Sequence, residues 1–256
     1  MPAVSATIIA YNEAANIARA IRSLACADEL IVVDSGSTDA TEATARSLGA
    51  RVIAHPFEGF AAQKNFAVAQ AHHDWILSLD ADEELDAAAQ QAVEQWKRST
   101  PRARGYRFAR RARYLGRWIL HSGWYPDSKL RLFDRRRGRW QGAYVHESVA
   151  VEGPVEKLPG EILHYTCDSF AEHRARVEFY TDLAAREMVE RGTGPGRLAR
   201  VFAPAWVCLT SYFFRLGILD GYQGLLIAWM AGRTVRLKYA KWAKLVSAEA
   251  SARRGK

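Results

Sequence analysis

Leu30-Ile31-Val32-Val33 is a short, wholly apolar, β-branched run, the pattern of a strand covered on both faces. Three other strand-like stretches share the first hundred residues with it: Val4–Ala10, Arg51–Ala54 and Trp75–Leu79. Helical segments separate them. Asn12 and Glu13 open an Ala-rich helix to about Leu24. Asp39, with Glu42 three residues on, has the capping-box pattern and opens a helix to about Leu48. Ala61–Ala71 reads as a third helix, and Asp86 caps a fourth that runs to about Lys97. Such alternation demands parallel strands joined by right-handed crossovers: an α/β fold with a mostly parallel central sheet and flanking helices. Ligands of open sheets bind beyond the carboxyl ends of the strands, where Tyr11-Asn12, Asp34 and Asp80 all fall.

The texture changes at Arg104. Short strand-like pieces rich in Arg, Trp and Gly follow: Tyr106–Arg110, Lys129–Phe133, Arg139–Val145 and Ile162–Tyr165. Beyond Ser169 the pattern is helical, broken at Gly192-Thr193-Gly194-Pro195-Gly196. A chain of 256 residues, 49% apolar, can bury a full core. Its formal net charge of +8 points to a negatively charged partner: nucleic acid, an anionic membrane face or a phosphorylated substrate. Cys26, Cys167 and Cys208 are far apart, which argues against a zinc site or a disulfide framework and suits a reducing compartment. Ala6–Tyr11 is too short for a signal core and reads as strand. Val201–Phe214, closed by Arg215, comes nearest to a membrane span but falls short of the roughly 18 apolar residues one needs.

Asp80-Ala81-Asp82-Glu83 ends the strand Trp75–Leu79. Two carboxylates one residue apart at a strand end can hold Mg²⁺ or Mn²⁺ and leave positions open for water and phosphate; an acidic loop that only caps the next helix has the same spelling. Tyr11 offers a flat face to a nucleotide base, and Asp34 an acceptor for a ring N–H, although Asp34-Ser35-Gly36 is also turn chemistry. Asn12 reads equally as a ligand or as a helix cap. Lys64 and Asn65, near a helix start, could reach a diphosphate or lie on a solvated face. His146-Glu147 joins a third metal ligand to a general base for an acceptor hydroxyl, where an isolated His-Glu pair would be surface decoration. No G-x-G-x-x-G or G-x-x-x-x-G-K-[ST] is present, which argues against a dinucleotide fold and a P-loop.

Taken in order, Ile9-Ala10-Tyr11-Asn12-Glu13, Val32–Asp39, Leu79–Glu83 and Val145-His146-Glu147 resemble glycosyltransferase family 2 over roughly residues 1–165. The resemblance implies a GT-A fold, a nucleotide-diphospho-sugar donor, a divalent metal and inversion at the anomeric carbon. Tyr11, Asn12, Glu13, Asp34, Lys64, Asn65, Asp80, Ala81 and Asp82 would then bind the donor. Asp80, Asp82 and His146 would hold the metal, and Glu147 would be the base. The Q-x-x-R-W motif of the processive synthases is absent, which implies single-sugar addition. Tyr114–Ile119, Gly123–Asp127, Leu130–Phe133 and Gly217–Gly221 are further similar to lipopolysaccharide inner-core β-glucosyltransferases. That likeness implies glucose transfer from UDP-glucose to a core heptose, with Trp124, Asp127 and Arg131 as candidate acceptor-binding residues. The organisation expected is a GT-A catalytic domain over residues 1–168 and a helical extension over 169–256. Within the former, 1–100 is the nucleotide-sugar half and 101–168 the acceptor half. A polyprenyl-phosphate sugar transferase of the same fold, or a non-catalytic nucleotide-sugar or membrane-binding module, is the alternative.

Arginine-dense stretches between Arg102 and Arg139 can grip an anionic glycolipid acceptor, and beside the transferase motifs nucleic acid is not the expected partner. Over Arg233–Val246 a helix puts Val235, Tyr239, Trp242 and Val246 on one stripe, with Arg233, Arg236, Lys241 and Lys244 opposite. That pattern suits a helix on an anionic membrane surface, or one packed onto its own domain. The expected location is cytoplasmic, peripheral on the cytoplasmic face of the inner membrane.

Overall fold

The computed structural model describes residues 1–142 and 147–254. The chain forms two compact units, Met1–Arg111 with Pro126–Tyr165, and Ala112–Tyr125 with Thr166 onward. Residues 112–125, assigned from sequence to the acceptor half, thus group with the helical extension.

The first unit begins with β1 (Val4–Ala10), α1 (Ile17–Ser23), β2 (Glu29–Asp34), α2 (Thr41–Ser47), β3 (Arg51–Ala54), α3 (Phe60–Ala69), β4 (Trp75–Asp80), β5 (Glu83–Leu85) and α4 (Ala87–Lys97). There follow β6 (Gly105–Tyr114), the two-residue β7 (Arg117–Trp118) of the second unit, β8 (Asp127–Asp134), β9 (Gly138–Gln141), β10 (Ser148–Val151) and β11 (Val155–Cys167). The main sheet runs β3-β2-β1-β4-β8-β6-β11-β5. Its first four strands are parallel, and β8 then pairs with β4 and with β6 in antiparallel fashion. The α/β fold with flanking helices is the one expected from sequence, but the sheet is mixed rather than mostly parallel, because the strands after β4 pair in antiparallel fashion.

Both faces of this sheet are covered, as the β2 run requires. Val32 joins Val4, Ala6, Ile8, Leu77 and Leu79 in one buried cluster. Ile31 and Val33 face the other way, onto Ala67, Val68 and Phe133. Because β2 and β3 lie on one side of β1 and β4 on the other, the strand order reverses between β1 and β4, where α/β sheets bind their ligands. Register brings the motifs there: Ala10 pairs with Asp34, and Ile9 with Asp80.

Two helix starts differ from expectation. Asn12 adopts a left-handed φ of 55° and cannot open α1, which begins at Ile17. Its N–H instead donates to Ser37 Oγ (2.9 Å), and its side-chain oxygen accepts from the Thr38 N–H (2.8 Å), tying the first two strand-end loops together. Asp39 does not cap α2, whose N-cap position is Ala40. Its carboxylate accepts from the Ala14 and Thr41 N–H groups, and Glu42 pairs with Arg46 one turn on. Asp86 does cap α4, accepting from the Ala89 N–H at 2.7 Å.

The second unit comprises Ala112–Tyr125, α5 (Phe170–Glu190), α6 (Arg197–Leu209), a π-helical turn (Thr210–Phe214), a 3₁₀ turn (Gly217–Asp220) and α7 (Gly221–Arg254). Over Arg233–Val246 the apolar stripe is half-buried at Val235, Tyr239 and Trp242 and open at Val246, while the basic face opposite it is held within this unit. Arg233 pairs with Glu178 (3.3 Å), and Lys241 with Glu178 (3.1 Å) and Asp182 (2.9 Å), all across to α5. Trp242 lies so close to Gly194 that a Cβ there would overlap its ring. The most exposed apolar surface lies earlier, on α6, the two turns and the start of α7. Each large side chain kept there forgoes about 1.5–3 kcal/mol of burial.

Gly160 has φ +86°, and a Cβ on it would overlap the backbone of Ala89 in α4, whereas Gly49 (φ +85°) faces open space. Gly160→Ala is expected to cost about 3 kcal/mol or more and Gly49→Ala about 1–2 kcal/mol, read as shifts of the urea midpoint. Equal losses would mean that β11 does not press on α4 as described.

Candidate active site

The site is built on the carboxyl ends of β1, β2 and β4. Tyr11 follows β1 and is 59% exposed, offering its ring as a flat surface. Asn12 and Glu13 hold the loop behind it: Glu13 donates its N–H to Thr41 Oγ1, and its side chain accepts from Asn16. Asp34 is buried and shapes a turn, accepting from the Gly36 and Ser37 N–H groups at 3.0 and 2.8 Å and from the Ser37 hydroxyl. Its turn chemistry is therefore real, and Oδ1 retains accepting capacity beyond the Ser37 bond.

Seven charges of alternating sign run through the unit. Asp127 accepts from Arg110 (2.6 Å), and Arg110 also reaches Glu83 (2.9 Å). Glu83 takes two bonds from Arg131, both 2.8 Å, and the same guanidinium nitrogen meets Asp80 at 2.9 Å. Asp80 meets Lys64 Nζ at 2.7 Å, and Lys64 meets Glu147 at 3.1 Å. Lys64 and Arg131 are almost wholly buried, and the Trp140 ring flanks the lysine, its centroid 4.3 Å from Nζ. Burial by itself would push the Asp80 carboxyl up, but the Lys64 and Arg131 cations outweigh it and hold the group well below the usual range. Glu83 is likewise raised by burial and, mainly through Arg131, held down to about 2.

This ladder reassigns several residues. Arg131, expected to bind acceptor, is spent on Asp80 and Glu83, and Asp127 holds Arg110 and Lys129. Asn65 exchanges hydrogen bonds with both backbone groups of Trp140 (2.9 and 3.0 Å) and fastens α3 to β9. Trp124 belongs to the second unit, edge-on to Tyr114 at 5.5 Å. Ala81 is buried. His146 lies outside the described residues.

For a divalent cation, Asp80 offers little, since its oxygens already meet two cations. Asp82 differs. Its Oδ2 lies 3.1 Å from His164 Nε2, and both side chains are partly open to solvent. Among the described residues no cluster of three or more metal-binding side chains occurs. The Asp82 carboxylate fits Mn²⁺ or Mg²⁺, which take their remaining ligands from water and phosphate, and the His164 imidazole beside it suits Mn²⁺ better than the oxygen-seeking Mg²⁺. His164 was invisible in the sequence because only the β11–β5 pairing, His164 opposite Glu83, brings it to Asp82. The one signal was its parity: it stands two residues from buried Ile162 on the same strand face.

Arg131→Met would leave the buried Glu83 carboxylate with Arg110 as its one described cation and the Asp80 N–H as a further donor. The expected loss is about 3–5 kcal/mol in urea unfolding. A loss below about 1 kcal/mol would remove Arg131 as the centre of the ladder.

Residues 5–149 match the family model described as Glycosyl transferase family 2. Lipopolysaccharide core biosynthesis glycosyltransferase LpsC of Rhizobium meliloti (strain 1021) is 31% identical over 251 residues, covering 93% of each chain. An uncharacterized glycosyltransferase of Rickettsia bellii (strain RML369-C) is 32% identical over 265 residues, covering 94% of this chain and 86% of its own. Among solved structures, glucosyl-3-phosphoglycerate synthase from Mycobacterium tuberculosis, in complex with Mn²⁺, UDP and glucosyl-3-phosphoglycerate, matches 44% of each chain at 28% identity. Its TM-score is 0.36, a partial likeness. With more than half its length inside the family model, and with relatives named as glycosyltransferases along nearly all of it, the chain belongs to glycosyl transferase family 2.

Proposed function

We propose that this glycosyltransferase is an inverting hexosyltransferase that moves glucose from UDP-glucose onto an anionic glycolipid of the lipopolysaccharide inner core, on the cytoplasmic face of the inner membrane. The observation that carries the reading is the Lys64 bridge, which joins the strand-end carboxylate Asp80 to Glu147. The relative named for lipopolysaccharide core biosynthesis supports the acceptor class.

In this reading the base of the donor stacks on Tyr11, and Asp34 accepts its ring N–H through the free capacity of Oδ1. Asp82 and His164 would hold Mg²⁺ or Mn²⁺. When bound, the ion supplies Lewis-acid neutralisation of the diphosphate leaving group. Lys64 keeps Glu147 anchored beside the donor edge. Glu147 takes the proton from the acceptor hydroxyl. The hydroxyl oxygen forms its bond to the anomeric carbon while the carbon–oxygen bond to the diphosphate breaks on the opposite face, inverting that carbon.

Glu147→Gln is expected to lower kcat for glucose transfer by about 10²–10⁴-fold while UDP still raises the melting midpoint. Asp82→Ala is expected to lose the Mn²⁺-dependent part of that thermal shift. Near-normal transfer by both variants would contradict the mechanism. Sugar accepted by polyprenyl phosphate and refused by core glycolipid would overturn the acceptor alone.

A further inference from the structure

The helical unit leaves a large apolar face without a partner. Along α6 and the π turn, Leu198, Phe202, Trp206 and Phe213 follow one another at helical spacing, and all are exposed, Leu198 at 74%. Phe214 (73%) and Tyr222 (67%) carry the surface past the bend into α7. No residue of α6 is fully buried. α6 lies against α7 by backbone approach: a Cβ on Gly232 would stand 2.7 Å from the Pro204 carbonyl oxygen. Small residues at a helix crossing serve that purpose in membrane proteins too. The apolar stripe is therefore not consumed by its neighbour, and patches of this kind are rare on monomers in water.

Charge selects the partner. Residues 191–248 carry nine Lys and Arg and one acid, Asp220, so that their net charge equals the +8 of the whole chain. Asp220 is buried and accepts from the His121 N–H. Exposed Arg197, Arg200 and Arg236 lie on the same helices as the apolar stripe, and exposed Arg215 directly follows the π turn. Among the described helices no single one is long and apolar enough to cross a membrane. The pair Arg197–Phe214 and Gly217–Ala248 reaches that composition only together, bent by 72°. A bent, aromatic, basic pair of helices matches the interface of a bilayer, where the apolar face sinks to the acyl boundary and the cations meet lipid phosphates.

We propose that α6, the two turns and the start of α7 form a wedge that docks this protein on the surface of an anionic phospholipid bilayer. The contact rests on the apolar face and the basic charge of one unit and does not depend on the transfer reaction.

The test is co-sedimentation of the full-length protein, without nucleotide sugar or acceptor, with vesicles of phosphatidylcholine alone or mixed with phosphatidylglycerol. Binding to the mixed vesicles should be at least about tenfold tighter and should weaken as salt is raised. Phe202→Glu/Trp206→Glu should abolish pelleting while keeping the parent's circular dichroism and melting midpoint. If that variant misfolds, Arg197→Gln/Arg236→Gln serves instead and should weaken binding to the mixed vesicles selectively. No pelleting with either vesicle, or pelleting unchanged in the variants, would overturn the proposal. So would a lipid-free dimer, seen by light scattering and lost in Phe202→Glu/Trp206→Glu, since the face would then join two copies of this chain.

Discussion

Arg131 holds the first unit's chemistry in place because it meets two carboxylates at once in a place with almost no water. Its guanidinium bridges Glu83 and Asp80, and from those two the alternation of charge extends outward, through Arg110 to Asp127 and through Lys64 to Glu147. Buried ions are tolerable only when each is paired, and here each interior member touches two of opposite sign. The gain is positional rather than a large net stability. A carboxylate beside the strand end, a lysine on α3 and the acid after β9 come from three separate parts of the chain, and the ladder sets their spacing.

The sheet that carries this ladder was largely legible in the sequence. Short apolar runs separated by helical segments leave few arrangements for β1 to β4, and the placement of Tyr11, Asp34 and Asp80 at one sheet edge follows from strand ends alone. Pairings that depend on the later, antiparallel strands were not legible. Arg131 reads from sequence as an acceptor-binding residue because nothing local says that β8 lies beside β4 and turns that side chain inward to Asp80 and Glu83. His164 needed the β11–β5 register to reach Asp82. Asn12 and Asp39 were misread for a different reason. Their side chains compete between capping a helix and bridging loops, and the partner loop, some 25 residues away, decided it.

The second unit shows the same limit with a different outcome. Periodicity found an apolar stripe over Arg233–Val246, but periodicity cannot say which neighbour covers a stripe. Glu178 and Asp182 on α5 hold the basic face through Arg233 and Lys241, Trp242 packs against Gly194, and the most exposed apolar side chains are those on α6, the turns after it and the start of α7. One unit thus concentrates anionic groups and their counter-charges at a strand edge, and the other carries the chain's positive excess beside exposed aromatic side chains.

The central claim is that Lys64 couples the donor edge to the base, and a double-mutant cycle on glucose transfer tests it most directly. With Lys64→Met, Glu147→Gln and the double variant assayed at saturating donor, the two residues should act as one unit. The double variant should be no more than about threefold slower than Glu147→Gln alone. Losses that multiply, so that the double variant falls by the product of the two single effects, would show that the Lys64–Glu147 contact has no part in the reaction.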